Sequence, residues 1–168
     1  LPIDTLRTVD YRAGGEAIAG LDDLLALVSG RVPLLLELKS PGEHALAERM
    51  VDALGRSLAR YGGEVAAMSF DPDIVALLRA RLPKVPRGIV AGDVGPDTAR
   101  RGTLTDRFVR RELLHVPRTR PDFVAYDHAG LPRPAVALQR RAGRPVLAWT
   151  VRSAAAMERV LPHADQII

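Results

Sequence analysis

Six short apolar runs, each fenced by turn residues and followed by a stretch of different periodicity, constrain this chain more than any other feature. They cover residues 32–39, 64–70, 86–91, 122–126 and 145–151, with a sixth beginning at Ala164 or Asp165. Each is too short for a helix and too apolar for a loop, so each reads as a buried strand. Between them, residues 43–60 carry a helical stripe at Leu46, Met50, Ala53, Leu54, Leu58 and Tyr61. Asp71-Pro72 supplies an N-cap and a first helical residue for a helix to about Arg81, with Ile74, Val75, Leu77 and Leu78 inward. Further helices are expected over 21–28, within 98–114, over 132–142 and from Ser153 to Leu161. Residues 1–19 read as irregular and 116–121 as a loop. Strict alternation of strand and helix means a parallel sheet with helical crossovers, an α/β fold. A (β/α)8 TIM-type barrel repeats that unit eight times in about 250 residues. Six units in 168 residues make three quarters of one, expected as one domain over 1–168.

The first strand, Val32-Pro33-Leu34-Leu35-Leu36-Glu37-Leu38-Lys39, is the most informative. Side chains alternate along a strand, so Leu35, Glu37 and Lys39 share one face and Val32, Leu34, Leu36 and Leu38 the other. The apolar face suits packing under helices. The other face ends in a carboxylate and an ammonium, which need a polar setting or each other. Of 24 lysines and arginines only Lys39 and Lys84 are lysine, so a lysine closing a buried strand is a candidate for selection by chemistry.

In a barrel, the C-terminal strand ends carry the site. Here those ends hold Glu37 and Lys39, then Ser69-Phe70-Asp71, then Trp149-Thr150-Val151 with the single tryptophan. A carboxylate in that place can ligate a hard divalent cation, a lysine can hold a phosphoryl oxygen, and aromatics can wall the pocket. A structural ion pair and a core tryptophan are the plain alternatives, and from the residues alone both stand.

Composition narrows the function classes. The net charge of +4 comes from arginines spread along the chain, and aromatics are only 4%, whereas a nucleic-acid surface wants clustered charge and stacking rings. No apolar run approaches the roughly 20 residues of a membrane helix. Leu1-Pro2-Ile3-Asp4 has no signal-peptide character, and a cytoplasmic location is the expectation. Without cysteine there are no disulfides or thiolate sites. The four histidines show no metal-ligand spacing; His44 reads as solvated, His115 and His163 sit near helix ends where a cationic ring is mildly favoured, and only His128 follows a strand end. Arg118 and Arg120 stand where they could draw an anion to the mouth, though solvated loop arginines are the commoner case.

Three segments in order, Leu34-Leu35-Leu36-Glu37-Leu38-Lys39, Met68-Ser69-Phe70-Asp71-Pro72 and Pro145-Val146-Leu147-Ala148-Trp149-Thr150-Val151, together resemble the glycerophosphodiester phosphodiesterase family. Leu21 to Val28 resembles the short helix before that family's Glu-x-Lys strand, and Ala164-Asp165-Gln166-Ile167-Ile168 its final strand. The resemblance implies a (β/α)8 barrel that hydrolyses glycerophosphodiesters to glycerol 3-phosphate and an alcohol with a divalent metal, Mg²⁺ or Ca²⁺. Carried over, Glu37 resembles a metal-ligating carboxylate, Lys39 the phosphate-contacting lysine, and Phe70 and Trp149 the aromatics lining the substrate pocket. The family's His-Arg-Gly, Glu-Asn-Thr, Glu-x-Asp and His-Asp segments do not occur between Leu1 and Ile168. The chain is therefore expected to be the last six of eight barrel units, cut at both ends, without the acid/base histidines and without two of three metal carboxylates. It is expected to be inactive by itself. Two other readings compete: a barrel remnant that binds a phosphorylated ligand or a partner chain without catalysis, and a Schiff-base aldolase-type barrel using Lys39.

Overall fold

The computed structural model describes residues 18–92 and 103–168, together with Thr5, Thr8 and Val9. Helix α1 (Leu21–Val28) leads into β1 (Leu34–Glu37), α2 (His44–Leu58), β2 (Val65–Ser69), α3 (Pro72–Arg81) and β3 (Arg87–Ala91). Then follow α4 (Leu104–Arg111), the short α5 (Val116–Thr119), β4 (Phe123–Asp127) with a 3-10 turn at His128–Gly130, α6 (Pro134–Arg141), β5 (Val146–Trp149), α7 (Ala154–Val160) and β6 (Gln166–Ile167). The six strands pair in chain order, every pair parallel, so sequence neighbours are sheet neighbours throughout. That unbroken order, with a helical crossover after each strand, is a curled part-barrel.

Alternation divides the core as the first strand requires. Leu36 and Leu38 pack under α2 and α3 with Val51, Leu54, Ile74 and Leu78. Further round, Ile89, Val124, Tyr126, Val146 and Ala148 pack against Val136 of α6 and Val160 of α7. The concave face gathers Leu35, Ala66, Met68, Val90, Phe123, Ala125, Leu147 and Trp149. Gly88 is required there: a Cβ at that position would fall inside the Phe123 ring. At the opposite strand ends one device occurs twice. Asp122, just before β4, accepts from the Arg87 N–H at 2.9 Å, and Asp165, just before β6, accepts from the Val146 N–H at 2.8 Å. Each aspartate's own N–H returns a bond to the same residue's carbonyl, at 2.8 Å and 2.7 Å.

Caps follow the sequence closely. The Asp71 side chain accepts from the Asp73 N–H, and Pro72 opens α3. Ser153 caps α7 through the Ala156 N–H. Three expectations need correction. The buried side of α2 is Ala47, Val51 and Leu54, while Leu46 is exposed, because the helix is rotated so that its small residue meets the sheet. Residues 116–121 are not all loop: Pro117 lies in the first turn of α5, where its missing N–H costs nothing. His115 does lie at a helix end, as the N-cap of α5, but it is 8% exposed, and burial disfavours the cationic ring there. The reading of 98–114 as a helix is met by α4 for its described part, and residues 98–102 lie outside the described residues. Among the described residues no helix is long and apolar enough to cross a membrane.

Candidate functional site

The C-terminal ends of β1 and β2 are tied together by hydroxyls. The Leu38 N–H donates to the Met68 carbonyl at 2.8 Å, extending the pairing one residue beyond β1. Ser69 Oγ, fully buried, donates to the Leu38 carbonyl at 2.7 Å and accepts from the Asp71 N–H at 3.1 Å. Ser40 Oγ donates to Asp71 Oδ2 at 2.5 Å, while Asp71 Oδ1 receives the Asp73 N–H at 2.9 Å. Residues on both sides of Lys39 are thus held to the next strand, which fixes where the lysine leaves the sheet.

Lys39 Nζ donates to Glu37 Oε1 at 2.5 Å, and it lies 5.6 Å from the centroid of the Phe70 ring. Phe70 meets Trp149 edge to face, centroids 5.5 Å apart and planes at 80°. The four residues selected from the sequence, contributed by three strand ends, therefore form one continuous row. The Lys39 side chain is 77% exposed and that of Glu37 27%, so the ammonium stands at the mouth and the carboxylate deeper. The indole N–H of Trp149 is buried and has no acceptor among the described residues.

Lys39 and Phe70 also line a cleft of about 650 Å³ that runs outward past Ser40, Asp71 and Asp73 to Val109 and Arg110 of α4 and Arg118 of α5. Arg118 forms an ion pair with Asp73. Asp106, at the start of α4, is held below the usual carboxylate range by hydrogen bonds from Thr103, so it is ionised. The part played by Ser40 and Arg110 was not visible in the sequence. Ser40 reads as an ordinary turn residue until Asp71, 31 positions on, is brought beside it.

The histidines are elsewhere. His128 Nδ1 pairs with Arg159 at 3.1 Å, and His44 stands 4.0 Å from Glu48 on α2. Asp127 accepts from the Ala129 N–H and turns the chain after β4. Among the described residues no three His, Asp or Glu side chains converge as a metal site. Glu37 offers one carboxylate, already engaged by Lys39, whereas a hard divalent cation takes six or more oxygen donors. These residues supply one donor for such an ion and do not make its site by themselves.

A parallel β/α sheet curled into part of a barrel thus gathers a lysine, a carboxylate and two aromatics from the ends of β1, β2 and β5. Residues 3–163 match the glycerophosphoryl diester phosphodiesterase family, and the chain belongs to it. A Silicibacter pomeroyi structure assigned as a glycerophosphoryl diester phosphodiesterase superposes with TM-score 0.76 at 26% identity, covering 92% of this chain and 53% of that one. A glycerophosphodiester phosphodiesterase from Parabacteroides distasonis gives TM-score 0.76 at 18% identity, covering 99% and 65%. An Oleispira antarctica phosphodiesterase in complex with the product sn-glycerol-3-phosphate gives TM-score 0.76 at 18%, covering 99% and 66%. The chain thus spans between about half and two thirds of the length of these structures. No curated protein sequence matches it.

Proposed function

We propose that this chain carries the phosphate-binding part of a glycerophosphodiester phosphodiesterase, acting on glycerophosphodiesters to release glycerol 3-phosphate and an alcohol. The observation that carries the reading is the row Glu37–Lys39–Phe70–Trp149 at the mouth of the sheet. Lys39 supplies the positive charge that meets a phosphoryl oxygen. Phe70 and Trp149 wall the glycerol side. Glu37 holds the ammonium in place and offers one carboxylate toward a divalent ion, Mg²⁺ or Ca²⁺, whose chemistry when bound would be to draw charge from the phosphoryl oxygens.

The described residues give no histidine to this row, so binding of the phosphate without turnover is the behaviour expected of them. The Schiff-base reading is disfavoured by the same geometry. A Schiff-base lysine is desolvated, while Lys39 is exposed and held by a carboxylate.

The test uses Trp149, the only tryptophan, as its own reporter. Titration with sn-glycerol 3-phosphate should change its emission saturably, and Lys39→Met should remove the response. A flat titration of the folded wild-type chain overturns the reading. Release of glycerol 3-phosphate from glycerophosphocholine, with Mg²⁺ or Ca²⁺ added, separates binding from hydrolysis.

A further inference from the structure

Helix α4 stands apart from the other α-helices among the described residues because none of its residues is buried. Its start is well built: Thr103 Oγ1 accepts from the Asp106 N–H at 3.1 Å, and Asp106 Oδ2 receives the Thr103 N–H at 2.8 Å. A helix with such a cap and no buried residue has a stable start and an apolar face left over.

That face is specific. Leu104 and Phe108, four positions apart and so on one side of the helix, are 81% and 52% exposed. By helical spacing, Arg107 and Arg111 flank the pair on one side. Val109 and Arg110, with Asp106, lie on the other side and line the cleft that begins at Lys39. Neither Arg107 nor Arg110 has an ion-pair partner among the described residues, and Arg111 shares the Glu112 carboxylate with Arg133. The helix carries one acid, Asp106, on the cleft side and committed to the cap.

Two large apolar side chains bordered by arginines, with the neighbouring acid Glu112 taken up by Arg111 and Arg133, are complementary to an interface that is apolar beneath and anionic above. We infer that α4 docks on an anionic lipid bilayer, inserting Leu104 and Phe108 at the headgroup boundary with Arg107 and Arg111 on lipid phosphates. The docking holds the Lys39 cleft against the membrane surface, where a phosphodiester carried on a lipid would reach it. The lipid surface is favoured over a protein partner because the stripe is short and the charge beside it is net positive, two arginines sharing the single Glu112 carboxylate. The inference goes beyond the phosphodiesterase reading, and its test involves no turnover.

The experiment is co-sedimentation of the chain with vesicles of phosphatidylglycerol and phosphatidylcholine in equal parts, beside vesicles of phosphatidylcholine alone. Binding is expected on the anionic vesicles only, and it should weaken as salt is raised. The variant carrying Leu104→Ser and Phe108→Ser should bind at least about tenfold more weakly, since each removes an inserted apolar side chain. Arg107→Glu should cost more than about fivefold. Because α4 buries no residue, these variants should keep the wild-type circular dichroism and urea midpoint, and the glycerol 3-phosphate titration should be unchanged. No binding to anionic vesicles, or undiminished binding by the double serine variant, overturns the inference. Wild-type self-association lost in that variant, with no vesicle binding, also overturns it and assigns the face to a second copy.

Discussion

Ser69 Oγ donates to the carbonyl of Leu38 at 2.7 Å, across 31 residues of sequence and one strand of the sheet. The same oxygen accepts the Asp71 N–H, so one buried hydroxyl satisfies a carbonyl at the end of β1 and an amide at the start of α3. Ser69→Ala leaves both backbone groups without that partner. A buried unsatisfied group costs about 1–3 kcal/mol, and a loss in that range is expected in urea unfolding. Because Leu38 precedes Lys39, the substitution should also weaken glycerol 3-phosphate binding while leaving every charge of the site in place. Weakened stability with unchanged affinity would show that the tie serves the sheet alone.

Glu37 and Lys39 separate a site from a structural ion pair. The pair is largely solvent-facing, and such pairs contribute about 0–1 kcal/mol. Lys39→Met is therefore expected to move the unfolding free energy by less than about 1 kcal/mol. Its effect on ligand should be far larger: losing a charge-assisted hydrogen bond of about 1.5–3 kcal/mol is roughly a ten- to hundredfold loss of glycerol 3-phosphate affinity. A strongly destabilised Lys39→Met with its ligand response intact would make the pair structural.

Gly88 and Phe123 face each other on β3 and β4, directly paired in register. The Phe123 ring occupies the space of the missing Gly88 side chain. Gly88→Ala should destabilise by about 1–3 kcal/mol, the usual cost of overpacking. Phe123→Leu made alone should also destabilise, yet in the Gly88→Ala background it should restore part of the loss. A double-mutant cycle in urea checks the coupling, and additive effects would mean the two positions do not share that space.

The candidate site was legible where chemistry and strand geometry coincide. Glu37, Lys39, Phe70 and Trp149 each sit at or just beyond a strand end, and period-two alternation with the rule for barrel sites places them without any coordinates. The order of the sheet was legible for the same local reason, since strand and helix alternate. What was not legible depends on distance in sequence or on helix rotation. Ser40 meets Asp71 only after β1 and β2 pair. The stripe on α2 was right at Met50, Leu54 and Leu58 and wrong at Leu46, because Leu46 and Ala47 are both apolar and hydropathy does not decide which of them is buried. Residues 116–121 were read as a loop although the first helical turn tolerates Pro117. His115 was read from its nearness to a helix end, and what surrounds it was out of reach.

His115 gives a pH dependence whose sign follows from burial. The ring is largely enclosed, and neither nitrogen has a hydrogen-bond partner among the described residues. Burial pushes its pKa below the usual histidine range; the Val109 carbonyl nearby opposes this, and the Arg110 guanidinium adds to the lowering. The groups around it therefore favour the neutral ring in the folded chain. Above about pH 6.5, the ordinary histidine value, folded and unfolded chains are both neutral at this residue and it contributes no pH dependence. Below that value the unfolded chain takes a proton that the folded chain refuses, so stability falls as pH falls, until the folded ring's own lower pKa is passed. The slope for one such group is at most about 1.4 kcal/mol per pH unit. Urea unfolding at pH 7.5 and pH 5.5 should show the loss, in a window above the ordinary carboxylate range near 4. His115→Leu, which puts an apolar side chain in the same buried position, should flatten the profile between those two values. An equal fall in the leucine variant would place the titrating group elsewhere.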